Sequence, residues 1–321
     1  MKLKKIAALV VSTTVVMSLG ACATNSDKNA TDIPKQVEVV VPWAAGGGSD
    51  NATRQLLINA EKTCNTNFVV SNKTGAAGAT GHEAGANAKP DGKTLTDMTA
   101  EVSILPHLGG TKVSYQSFSP IMRFASISPA FVVPADSEFK SIDDLIAAMK
   151  KGDQVRIGTT GRGGIWDIAA GGFAKKVGAD FTERIPYDGG ASIIAALLGK
   201  HIEVASLAAP EALAQVQAGK LRVLAIADEQ RASVFPDVPT LKESGVDWAT
   251  QTWFGIAAPA KTSEDLVGKL GKCLKEAWDT ADYQDFLKKQ GYNAAYLNTE
   301  DFKKFVEKQF KEFEALIPEL Y

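Results

Sequence analysis

Four glycine-rich stretches hold the residues whose types and spacing could do chemistry. They are Pro42-Trp43-Ala44-Ala45-Gly46-Gly47-Gly48, Asn72-Lys73-Thr74-Gly75-Ala76-Ala77-Gly78-Ala79-Thr80-Gly81, Gly158-Thr159-Thr160-Gly161-Arg162-Gly163-Gly164 and Asp188-Gly189-Gly190. Glycine lets backbone amides come close to a ligand, and a helix start just beyond favours negative charge, so anion binding is the chemistry such loops can do. A phosphate loop would need Gly, four residues, then Gly-Lys-Ser/Thr. The nearest candidate, Gly92-Lys93-Thr94, has Asn87 at the required first glycine, and the glycines between Gly75 and Gly81 do not fit a dinucleotide fingerprint. Lys73 is the one cation in the first two loops, so amides and hydroxyls must do most of the holding. That suits a carboxylate better than a polyphosphate. Any one loop also reads as a structural turn; four together point to a binding cleft.

Catalysis is not expected. There is no Gly-x-Ser-x-Gly elbow, and His82-Glu83 lacks the second histidine of a zinc-protease helix. Asp50, Asp167 and Asp188 read as helix caps or exposed acids before they read as paired carboxylates. His82, His107 and His201 lie far apart with no second ligand at metal-binding spacing, so neither a metal site nor a cofactor is expected.

The loops sit between elements that repeat a strand, loop and helix order, which is the signature of an α/β sheet. Strands are predicted at 37–41, 68–70, 155–157, 184–187, 202–206 and 221–225, and helices at 82–88, 165–176, 191–198 and 211–217. Ser49 or Asp50 is placed to cap the helix after the first loop, with Arg54 one turn from Asp50. Two loop pairs about a hundred residues apart suggest two similar lobes, and ligands of open α/β sheets sit beyond the carboxyl ends of the strands.

The chain has 321 residues and a formal net charge of −2, with acids and bases interspersed, which argues against a nucleic-acid partner. Lys2, Lys4 and Lys5 precede an apolar run over 6–17, and Leu19-Gly20-Ala21-Cys22 follows. This is the layout of a secretory signal, and it resembles a bacterial lipobox. Residues 1–21 would be the signal peptide, Cys22 the lipidated first residue of the mature protein, and 22–35 a polar linker. The protein would then be exported and lipid-anchored to the outer face of the cell membrane or in the periplasm. Cys64 and Cys273 are the other cysteines; a disulfide between them and two independent buried thiols both remain open.

Several segments in order resemble the solute-binding receptors of tripartite tricarboxylate transporters, the Bug family. They are PWAAGGGSDNATR, NKTGAAGATG with KPDGKTL, IGTTGRGG, RIPYDGGASIIAALLGKHIEV, AGKLRVLAIADEQR with FPDVPTLKESG, and TWFGIAAPAKT. The resemblance implies a two-lobed type II periplasmic-binding-protein (Venus-flytrap) fold, each lobe a mixed sheet flanked by helices. Lobe 1 would comprise 36–125 plus 250–321, and lobe 2 126–249. It implies capture of a small carboxylic acid and delivery to one large and one small membrane subunit, by a receptor expected to be a monomer. Carried onto this chain, the family's contacts fall on Trp43, Ala44, Gly46, Gly47 and Asp50, then on Gly75, Ala76, Gly78 and Thr80. The far end of the ligand would meet Thr159, Thr160 and Gly161 and the neighbourhood of Asp188. Asp50 is expected to order its loop rather than touch ligand. A sensory receptor presenting the same ligand to a signalling partner is the alternative.

Departures from the family pattern bear on ligand identity. Thr74 stands where a proline is common, Lys93 replaces a tyrosine, Asp188 replaces a lysine and Trp166 replaces a polar residue. An acid at 188 facing the cleft would favour an ammonium or hydroxyl over a second carboxylate, while Arg162 could supply a compensating cation.

Overall fold

The computed structural model describes residues 32–187 and 189–321, so Cys22 and Asp188 lie outside the described residues. Val37, Val39, Val40 and Val41 are buried in Gln36–Val41 (β1), and the run from Val39 has the pattern of a parallel strand covered on both faces. It feeds Gly48–Cys64 (α1), which ends in a left-handed Asn65 and returns to Asn67–Asn72 (β2). Ala79–Ala86 (α2) then leads to Thr94–Thr99 (β3) and, through a short 3-10 turn at Ala100–Ser103, to Phe118–Ile127 (β4). The helix begins three residues before the expected 82 because Gly78, at φ 89°, turns the chain straight into it.

Ser128 alone separates β4 from Pro129–Pro134 (β5), the first strand of a second sheet. That sheet continues with Ile142–Lys151 (α3), Arg156–Thr159 (β6), Ile165–Val177 (α4), Glu183–Pro186 (β7) and Gly190–Leu198 (α5). It is completed by Val204–Ala208 (β8), Ala209–Gln217 (α6) and Leu221–Ile226 (β9). β8 runs two residues beyond the expected 202–206, and α6 starts at Ala209 because Pro210 fits the first helical turn, where its missing N–H costs nothing. The chain returns to the first sheet as Thr252–Pro259 (β10) and ends in Glu264–Trp278 (α7), Ala281–Gln290 (α8) and Thr299–Leu320 (α9).

The two sheets have strand orders β2-β1-β3-β10-β4 and β7-β6-β8-β5-β9. Each combines a parallel half, from which the glycine loops emerge, with antiparallel strands next to the crossings. Each lobe therefore presents a mixed sheet with helices around it, the two-lobed arrangement expected. At the junction, Ser128 Oγ donates to Asp228 Oδ2 at 2.6 Å and the Ala227 amide donates to the Pro129 carbonyl at 2.8 Å. The outgoing and returning strands are thus pinned together.

Lobe 1 buries Leu56, Leu57, Phe124, Ile256, Leu270 and Leu274 in one core, and lobe 2 packs Phe131, Phe173 and Leu145 in another. A further cluster spans both lobes, joining Met98, Ile104 and Trp253 to Ile165 and Ile168 of α4. Cys64 at the end of α1 and Cys273 in α7 form a disulfide, with Cα atoms 5.0 Å apart. Of the two readings left open by the sequence, the structure has the bridge.

Candidate functional site

A cavity of about 440 Å³ lies between the lobes, where the loop after β1 faces the starts of α4, α5 and α6. Its walls are mostly apolar: Trp43, Ile127 and Phe254 come from lobe 1, and Ile165 and Trp166 from lobe 2. The polar groups are backbone and hydroxyl, together with the carboxyls of Glu101 and Glu211. No lysine, arginine or histidine is among the described lining residues.

How the helices begin is the clearest electrostatic feature. Ser141, Ser263, Thr280 and Asn298 cap α3, α7, α8 and α9 with their side chains. Gly47, Gly164, Gly189 and Ala208 stand at the same position of α1, α4, α5 and α6, where no side chain caps the helix. These four helices start at the cavity, while α2, likewise uncapped at Gly78, starts behind Trp43. A first helical turn carries amides without intrahelical partners and the positive end of the helix dipole. At α4 part of this is already answered, because the Ile165 amide hydrogen-bonds the Glu101 carboxylate from the other lobe. At α1 the glycines are partly or fully exposed, while at α5 Gly189 is partly exposed and Gly190 is buried against the Glu211 carboxyl.

The α1 loop is held from behind by Asp50. Its Oδ2 accepts from the Gly46 amide at 2.8 Å and Arg54 Nε at 2.9 Å, and its Oδ1 accepts from Asn72 Nδ2 at 2.8 Å. Asn72 Nδ2 also reaches the Trp43 carbonyl at 2.9 Å. Burial opposes ionisation of Asp50 but is outweighed by these hydrogen bonds, which hold the carboxyl below its usual value. With both oxygens committed, Asp50 orders the loop and is absent from the cavity wall. Ser49 lines the wall and makes a very short hydrogen bond to buried Asp97, whose pKa burial raises strongly. Trp43 Nε1 donates to Thr99 Oγ1 at 3.4 Å, and Thr99 Oγ1 donates to Glu101 Oε2 at 2.5 Å. Burial pushes Glu101 up, against hydrogen bonds from Thr99 and the amides of Glu101 and Ile165.

Of the residues singled out in the sequence, Trp43, Ala44, Gly46, Gly47 and Thr160 line the cavity. Gly75, Ala76, Gly78 and Thr80 do not. They form the adjoining turn, in which Ala76 and Ala77 take positive φ and Gly78 backs onto Trp43, where a Cβ would come 3.2 Å from Cζ2. That loop supports the indole and leaves the wall to it. Thr159 is buried, with Oγ1 donating to the Thr160 carbonyl at 2.7 Å, and Gly161 accepts from the Gly164 amide at 2.8 Å. Both belong to the turn beneath Thr160. Arg162 points to an outer groove, its guanidinium 4.6 Å from the Tyr321 ring centroid, and Lys73 pairs with Glu38 at 3.4 Å on the surface. Neither cation reaches the cavity.

The sequence reading missed Glu101, Glu211, Thr252 and Phe254, all in the wall. Glu211 sits in the first turn of α6, where an acid reads simply as a partner for the helix dipole. Burial pushes it up to about 7, opposed only by the Ala208 amide. Its Oε2 is closed off from solvent and has no hydrogen-bond partner, and the same is true of Thr160 Oγ1.

Comparison with known proteins agrees with this geometry. The family model for the tripartite tricarboxylate transporter family receptor, TctC, matches residues 52–321. A Cupriavidus necator protein described as "UPF0065 protein in gbd 5'region" is 33% identical over 309 residues, covering 94% of this chain and 93% of its own. The crystal structure of a TctC solute binding protein from Polaromonas is 33% identical with a TM-score of 0.73, covering 89% of this chain and 98% of that one. The periplasmic binding protein BugD is 28% identical with a TM-score of 0.80, over 89% of this chain and 98% of its own. With lobes, interlobe cavity and glycine-started helices all in place, the chain belongs to the receptor family of tripartite tricarboxylate transporters and is a periplasmic solute-binding protein, not an enzyme.

Proposed function

We propose that the protein captures a small carboxylate between its lobes and delivers it to the membrane subunits, one large and one small, of a tripartite transporter. The observation that carries this is the pair of uncapped helix starts, α1 and α5, opening onto a cavity whose described lining has no cationic side chain. An anion held there takes the place of the missing caps, so its charge is met by amides and helix dipoles. Two or three charge-assisted hydrogen bonds at roughly 1.5–3 kcal/mol each supply much of the roughly 8 kcal/mol of micromolar binding. Lobe 2 adds Ser192 and the start of α5 to the wall, so bound ligand stitches the lobes together. Such a ligand favours the closed arrangement by its differential affinity for it.

In this reading Trp43, Ala44, Gly46 and Gly47 contact the ligand and Asp50 shapes their loop. Gly75, Ala76, Gly78 and Thr80 support Trp43, and Thr159 and Gly161 shape the turn that presents Thr160. Asp188, outside the described residues, precedes Gly189 of the far wall in the chain. Cys22 carries the lipid anchor, and the polar segment after it gives the monomeric receptor reach to dock. A thermal-shift screen of the soluble domain is the test. Carboxylates should raise the melting temperature by several degrees; stabilisation by sugars or metal ions with none by any carboxylate would refute the proposal.

A further inference from the structure

Two carboxyls, Glu101 and Glu211, face a cavity meant for an anion, and the described lining contains nothing cationic to balance them. Glu101 has a structural occupation, accepting from Thr99 and from the Ile165 amide across the cleft. Glu211 has less. The Ala208 amide nearby favours its charged form, and Oε2 is shut away from solvent without a partner. The carboxyl also lies directly against Gly190 at the start of α5, where a Cβ would fall 1.7 Å from Oε2. The two lining residues therefore form a fitted pair, with glycine at 190 making room for the acid at 211.

We infer that Glu211 determines specificity and that the ligand is a zwitterion, its carboxylate at the α1 start and its ammonium against the Glu211 carboxyl. This rests on the carboxylate-capture reading and narrows it. The choice among donors follows from charge. A dicarboxylate would bring a third and a fourth negative group into a low-dielectric space lined by two acids, where like charges disfavour one another's ionised forms. A hydroxyl would bond the cavity side of the carboxyl and leave the Glu211 charge uncompensated, and uncompensated buried charge is costly. An ammonium satisfies the hydrogen bond and the charge together, and the bound pair is neutral overall. The apolar surfaces of Trp166, Phe254 and Ile127 suit the carbon skeleton between the two ends.

The test is calorimetric titration of the soluble domain with two matched sets: leucine, isocaproate and isobutylmalonate; and γ-aminobutyrate, butyrate and glutarate. Within a set that binds, the amino member should bind at least ~10-fold more tightly than the member lacking nitrogen and more tightly still than the dicarboxylate. Glu211→Gln should bring the amino and nitrogen-free members to within about 3-fold, and Gly190→Ala, which displaces the carboxyl, should act in the same direction. Tightest binding by a dicarboxylate, or no preference for the amine, overturns the inference and leaves carboxylate capture standing. An amine preference unchanged in Glu211→Gln overturns the role given to that residue. Binding of none of the six overturns the zwitterion inference, and carboxylate capture then stands or falls on the wider thermal-shift screen.

Discussion

Glu211→Gln should make the ligand-free protein more stable, and by an amount that depends on pH. In the folded chain burial holds this carboxyl at about 7, against a usual value of 4.5. Between those two values the folded state binds more protons than the unfolded state, so wild-type stability falls as pH rises from about 4.5 to about 7 and then levels off. At 1.36 kcal/mol per pH unit the full penalty is about 3 kcal/mol above neutrality. Glutamine keeps the shape and loses the charge, so the variant escapes the penalty at pH 8 and gains almost nothing at pH 5. Urea unfolding of both proteins at the two pH values measures the difference directly. At roughly 2–4 °C per kcal/mol for domains of this size, melting should also rise by several degrees at pH 8 alone. Equal stability at pH 8, or a gain of the same size at pH 5, would show that Glu211 is well solvated or paired, and the argument from its isolation would fail. A carboxyl kept where it destabilises the empty protein fits a residue whose partner arrives with the ligand.

Asp50→Ala removes the acceptor for Gly46, Arg54 and Asn72 and should cost about 2 kcal/mol of stability and at least ~10-fold in ligand affinity, by unfolding titration and calorimetry. Because Asp50 is held below its usual value, its contribution is present above the unfolded pKa and fades as pH falls below about 4. Replacing Cys64 and Cys273 together with serine should lower unfolding free energy by about 2–5 kcal/mol while leaving affinity within about 2-fold, since the bridge lies at the far end of α1, roughly 25 Å from its first turn. Gly163→Ala places a Cβ 2.2 Å from Leu108 Cδ1 at a position with φ of +82°. It should open the lobes, with a larger radius of gyration in solution scattering and weaker binding. Cys22→Ser should abolish lipid attachment, seen by mass spectrometry, with ligand binding unchanged.

The alternation of buried valines with glycine loops made the α/β organisation and the first loop's place at the cavity readable in the sequence, because both depend on local spacing. What stayed hidden depends on distant chain segments meeting. Phe254 lies on β10, some two hundred residues from Trp43, yet both line one wall. Glu211 gives no local sign of isolation, since only the approach of Gly190 shuts its carboxyl away. The position of the second glycine loop was equally hidden: its composition matches a binding loop, and its consecutive left-handed alanines place it behind Trp43. The disulfide could not be decided either, because nothing local to Cys64 announces that α7 will pack across α1.

The position of β10 also governs the order in which the molecule can assemble. This strand lies between β3 and β4, in the middle of the first sheet, yet it follows the whole second lobe in the chain. Until residue 259 is available, β3 and β4 have no strand between them, and the amino-terminal lobe is a set of open edges. The second sheet, by contrast, is contiguous from β5 to β9 and can form as a unit. Non-local pairing of this kind slows folding. In chain order, the first lobe therefore closes last.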